Sequence, residues 1–87
     1  MLTYLLYNRR TPGEGQMQTL AKRLEPEQVN VELLDADSPR GIQLAEHYDI
    51  LARPAVVMVR DDGSPVQVWQ DPSNLPSPSE IGYLAHS

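Results

Sequence analysis

Residues 48–59 read Tyr48-Asp49-Ile50-Leu51-Ala52-Arg53-Pro54-Ala55-Val56-Val57-Met58-Val59, and this stretch decides the fold. Five apolar residues, AVVMV, follow directly on a proline. A short, unalternating run rich in β-branched side chains is the pattern of a strand covered on both faces. Asp61-Asp62-Gly63-Ser64 comes next and has the composition of a hairpin turn. Residues 66–69 (VQVW) then form a further strand in which Val66 and Val68 alternate with Gln67 and Trp69.

Working upstream, Ile42, Ala45 and Tyr48, with Leu44, mark the apolar side of a helix, and residues 29–34 (VNVELL) read as a strand. Met17, Leu20, Ala21 and Leu24 recur at i, i+3, i+4 and i+7, which is one face of an amphipathic helix. Pro26 ends that helix, because the residue before a proline is pushed out of the helical region. Leu2–Tyr7 (LTYLLY) is a first strand. Downstream, residues 71–78 carry three prolines and two serines and connect to a last helix with Ile81, Leu84 and Ala85. The order βαβαββα predicts one α/β domain over residues 1–87. Its first two strands form a parallel unit around a helix and the hairpin adds an antiparallel pair, giving a mixed four-stranded sheet with helices on its faces.

All three helix starts use one device: Thr11-Pro12, Ser38-Pro39 and Ser77-Pro78 each place a hydroxyl at the N-cap and proline at the first helical position. Thr11…Glu14 and Ser77…Glu80 also have the spacing of capping boxes. Each cap is expected to contribute about 1 kcal/mol.

Composition narrows the function. Twelve acids against seven bases give a net charge of −5, which disfavours nucleic acid and anionic membrane as partners. There is no cysteine, so thiol catalysis, disulfides and thiolate metal sites are excluded together. Only His47 and His86 supply imidazoles, too few for a conventional zinc or Ser-His-Asp centre. Leu2–Tyr7 is far shorter than the roughly 20 apolar residues of a membrane helix. It also lacks the flanks of a signal peptide, so the cytoplasm is the default expectation.

The element order, over nearly the whole chain, resembles the thioredoxin and glutaredoxin superfamily. The most specific match is the Tyr48–Pro54 segment leading into residues 55–59, similar to the thioredoxin segment in which Tyr-x-Ile precedes a proline that opens a buried strand. The resemblance implies a thioredoxin-like three-layer fold and a cis Arg53–Pro54 bond. It also places Thr11-Pro12-Gly13-Glu14 in the slot of the family's Cys-x-x-Cys motif, with Thr11 and Glu14 at the sulfur positions. Leu5 falls where thioredoxins keep a buried acid, and Gln70-Asp71-Pro72 stands where glutaredoxins hold glutathione. The resemblance therefore implies the fold without the redox chemistry. A narrower likeness, over Gln43-Leu44-Ala45-Glu46 and Ile50-Leu51-Ala52-Arg53-Pro54, is to the KaiB clock family, whose thiol-free members bind partner proteins. Arg53 replaces the threonine usual there.

In that fold Arg53 and Pro54 lie opposite residues 11–14, and Arg9 and Arg10 lead into the same corner. Arg9, Arg10, Thr11, Pro12, Gly13, Glu14, Arg53, Pro54 and Trp69 are therefore the candidate partner-binding residues, Arg and Trp being types enriched at binding hot spots. The expected partner is a protein or extended peptide of acidic character. Alternatively, Arg53 pairs with Glu14 while Arg9 and Arg10 are merely solvated. The same corner also invites a small anion at the start of the first helix, although Pro12 removes one N–H and Glu14 brings a negative charge. Catalysis would require a base to activate Thr11. Asp35-x-Asp37 without a glycine-bearing loop reads as a solvated strand end and not as a metal site. No catalytic residue, metal or cofactor is expected, and the oligomeric state stays open.

Overall fold

A computed structural model of the chain describes residues 1–71 and 73–86. Pro72, within the expected 71–78 connection and the Gln70-Asp71-Pro72 triplet, lies outside the described residues, as does Ser87. The elements are β1 (Leu2–Tyr7), α1 (Pro12–Leu24), a 3-10 turn (Glu25–Glu27), β2 (Val31–Asp35), α2 (Pro39–His47), β3 (Ala55–Val59), β4 (Pro65–Trp69) and α3 (Pro78–Ala85). The sheet order is β2-β1-β3-β4. β1 pairs parallel with β2 and antiparallel with β3, and β3 pairs antiparallel with β4. This is the predicted mixed sheet, with the predicted order of elements. Among the described residues no helix is long and apolar enough to cross a membrane.

Two cores flank the sheet. On one face Leu5, Val56, Met58 and Trp69 pack with Met17, Leu20 and Leu24 of α1 and Ile81 of α3. On the other, Leu6, Leu34, Ala55, Val57 and Val59 pack with Ala45 of α2 and with Ala36 and Ile50. Successive residues of a strand point to opposite faces, so β3 feeds both cores and all five of its residues are buried. The periodic residues of the first helix, Met17, Leu20 and Leu24, are all in the core, with Ala21 packed at its edge.

Several expectations are corrected in detail. The second strand begins at Val31, two residues late, because the chain first leaves the 3-10 turn through Gln28 in the left-handed region (φ 57°). Ile42 does not line the core; it is 45% exposed. The helix instead packs through Gly41 and Ala45, and it comes so close that a Cβ on Gly41 would sit 2.1 Å from the Asp35 carbonyl oxygen. With small residues setting the approach, the larger neighbouring side chain is displaced to the flank. Tyr48 is the C-cap of α2 and packs, with Leu44, against the same core as Ala45; its hydroxyl donates to the Gly63 carbonyl at 2.6 Å, tying the helix end to the hairpin. The alternation expected of the fourth strand is interrupted by an irregular register opposite Met58 and Val59, which lets Val66 and Val68 serve different cores.

Candidate functional site

β1 and β3 are antiparallel with Leu6 opposite Ala55, so the C-terminal end of β1 and the N-terminal end of β3 meet at one end of the sheet. The chain leaves β1 through Asn8, Arg9 and Arg10 and enters α1 at Thr11; it enters β3 through Arg53 and Pro54. The Arg53–Pro54 bond is cis. Gly13 is buried, and a Cβ there would stand 3.1 Å from Pro54 Cδ. Residues 11–14 and 53–54 therefore form one corner, as the sequence implied.

Local geometry there departs from the capping expectation. Ser38 Oγ accepts from Gly41 N and Ser77 Oγ from Glu80 N, each at 3.1 Å, as N-caps do. Thr11 does not cap α1. Its hydroxyl turns back and donates to the Asn8 carbonyl at 2.6 Å. Glu14 Oε1 in turn accepts from the Arg10 amide (3.3 Å), so the predicted box closes one residue early. The physical reason is the turn before the helix: Arg10 is left-handed (φ 61°), which brings its N–H, in place of that of Thr11, to Glu14. Since the Thr11 proton goes to a carbonyl, the hydroxyl has no activating base.

The three arginines meet different fates. Arg9 Nε lies 2.9 Å from Asp35 Oδ2, a pair between an exposed arginine and a largely buried aspartate. Asp35 Oδ1 accepts from the Asp37 amide and Asp37 Oδ2 from Asn8 Nδ2, which accounts for the Asp35-x-Asp37 pair as local scaffolding. Arg10 and Arg53 have no ion pair among the described residues; the expected Arg53–Glu14 alternative is not formed. Arg53 is half-buried, and its Nε is closed to solvent without an acceptor. Leaving such a donor unmatched costs about 1–3 kcal/mol.

Trp69 does not join this surface. It is only 9% exposed and packs in the α1/α3 core, because its position on β4, opposite Val56, faces that way. One residue at the corner was not anticipated. Leu51 is 87% exposed, and its amide donates to Gln70 Oε1 at 2.8 Å. Its neighbour Ile50 takes the core position at 3% exposure. The signal was present in the sequence: where Ile50 and Leu51 stand side by side before a strand, one core slot receives only one of them. Away from this corner, a groove of about 490 Å³ runs between α1 and the Leu75–Pro78 segment, with Met17 and Leu20 in its floor and Arg23 at its side.

No protein-family model and no curated protein matches the sequence. Solved structures do match in shape. A structure titled as that of a malarial protein superposes with a TM-score of 0.70 at 10% identity, over 95% of this chain and 90% of that one. Thioredoxin 1 of Thermosipho africanus TCF52B gives 0.69 at 10% identity, over 99% and 91%. A thioredoxin of Thermus thermophilus gives 0.63 at 22% identity, over 98% and 71%. The chain thus has the thioredoxin-like fold, built without any cysteine.

Proposed function

We propose that this chain is a redox-inactive adaptor or regulatory module that binds a protein segment at the corner formed by residues 9–14 and 51–54. Thiol–disulfide exchange needs a thiolate nucleophile, and the sequence has no cysteine to supply one. The observation that carries the binding role is the pairing of unmatched groups. Among the described residues Arg10 and Arg53 stand without acidic partners, on a chain of net charge −5, and Leu51, the most exposed of the described large apolar residues, lies two positions before Arg53. A half-buried arginine two residues from an exposed leucine suits a partner surface, since guanidinium groups are donors with fixed geometry and desolvate more readily than ammonium groups.

The test compares affinity capture from native lysate by the wild-type chain and by Arg53→Glu, with thermal melting of both. A protein retained by wild type and lost from the variant at unchanged Tm supports the module. Capture that ignores the charge reversal removes the corner from consideration, and a large fall in Tm makes Arg53 a structural residue. In an insulin-reduction assay the chain is expected to give no turnover, and measurable turnover would overturn the redox-inactive reading.

A further inference from the structure

We infer that the corner selects a carboxylate adjacent to a bulky apolar side chain in an extended partner segment, with Arg53 reading the acid and Leu51 the apolar residue. This inference rests on the binding role proposed above and specifies the chemistry of the partner. Leu51 is exposed although it is held in place. Its amide is fixed by Gln70 Oε1, and Ile50 occupies the core position beside it, so the side chain has no apolar slot in its own molecule. A leucine presented in this way offers contact area whose ordering entropy is partly settled before binding.

Arg53 lies two residues further on. Its Nε is shut off from water and has no acceptor, and the side chain makes no ion pair among the described residues. Swinging the guanidinium out to a ligand therefore breaks no hydrogen bond and relieves an unmatched donor. The planar fork fits a carboxylate through two parallel N–H···O bonds. Arg10 adds a second cation with no ion pair among the described residues, whereas Arg9 is held by Asp35.

The acid is a single carboxylate and not a polyanion. Three acids adjoin the corner residues: Glu14 bonds the Arg10 amide, Asp49 precedes Leu51 by two residues in the chain, and Asp71 follows Gln70, whose side chain holds the Leu51 amide. A polyanion brings several negative charges toward these acids and meets more repulsion than a single carboxylate does.

Three blocked hexapeptides test the assignment against the isotopically labelled full chain, followed by amide chemical shifts. One has a central Leu-Glu, the second Leu-Gln, the third Ser-Glu, all flanked by Gly and Ser. The Leu-Glu peptide is expected to shift the amides of residues 10–14 and 51–53 and to bind about tenfold more tightly than Leu-Gln, the scale of one charge-assisted hydrogen bond. Arg53→Gln is expected to erase the preference for Glu over Gln, and Leu51→Ser the preference for Leu over Ser, each with an unchanged spectrum elsewhere. Equal binding of all three peptides at the corner, or a Glu preference that survives Arg53→Gln, overturns this inference and leaves the binding role standing. If no peptide moves any corner amide, both are overturned.

Discussion

The two ends of the sheet treat their polar groups in opposite ways. At the hairpin end the chain matches them internally. The amino group of Met1 meets Asp61 at 2.8 Å, Asp62 Oδ1 accepts from both the amide and the hydroxyl of Ser64, and the Tyr48 hydroxyl reaches the Gly63 carbonyl. At the corner end, Arg10 and Arg53 lack acidic partners among the described residues, Thr11 is turned off its cap and Leu51 faces solvent. The same chain contains the devices to close both ends, and it is at the open end that the proposed binding corner lies. Helix starts show this within one motif. Ser77-Pro78-Ser79-Glu80 and Thr11-Pro12-Gly13-Glu14 share a spacing, yet only Ser77 caps its helix.

The sharpest way to separate the structural part of the corner from its free part is Gly13→Val. Its added atoms press on Pro54, where a Cβ alone would already stand at 3.1 Å, so a loss of about 2 kcal/mol is expected in urea unfolding. Next in size is Tyr48→Phe at the closed end. It removes the bond to Gly63 and is expected to cost about 1 kcal/mol. Burial, with Tyr4 and Asp62 nearby, raises the Tyr48 pKa above the ordinary tyrosine value. The folded state thus holds that proton longer than the unfolded chain does. The linked stability is fully present below the unfolded tyrosine pKa and is lost as pH rises through the folded one. Melting temperatures across the alkaline range should fall for wild type, and less steeply for Tyr48→Phe.

The helix starts supply a smaller and more diagnostic contrast. Ser77→Ala is expected to lower stability by about 1 kcal/mol, and Thr11→Ala by less than about 0.5 kcal/mol, because only the first loses a cap. Equal losses would mean that Thr11 caps α1 in solution. Smallest of all is the effect of Arg53→Gln on folding. The Arg53 side chain makes no ion pair among the described residues and its Nε is an orphaned donor whose removal relieves a cost, so Tm is expected not to fall, and a loss of binding is separable from a loss of stability. On the acid side, Ser64 donates to Asp62 and holds its carboxyl below the usual range. That contribution is present above the unfolded carboxylate pKa and fades as pH drops through the folded one. Ser64→Ala should flatten this acid limb slightly, as read by melting between neutral pH and pH ~3.

Much of the architecture was legible because it rests on local rules. The unalternating run of residues 55–59 announced a strand buried on both faces, the Met17–Leu24 periodicity a helix with one apolar face, and the 61–64 composition a turn. Element order then left few topologies for a mixed sheet. The absence of cysteine likewise removed thiol–disulfide exchange from the sequence alone. What the linear pattern did not contain were choices between equivalent local options. Ile42 has the right spacing for a core position but loses it to a close approach set by Gly41. Trp69 reads as an exposed hot spot but fills the α1/α3 core. Leu51, which the sequence did not single out, is left outside while Ile50 takes the core position. Thr11 has a capping sequence but donates elsewhere because Arg10 takes a left-handed turn. Each outcome depends on which neighbour arrives from another part of the chain. Periodicity and turn composition determine which segments are helix or strand; only the packed structure decides which competing side chain is buried, and so which groups remain free to bind.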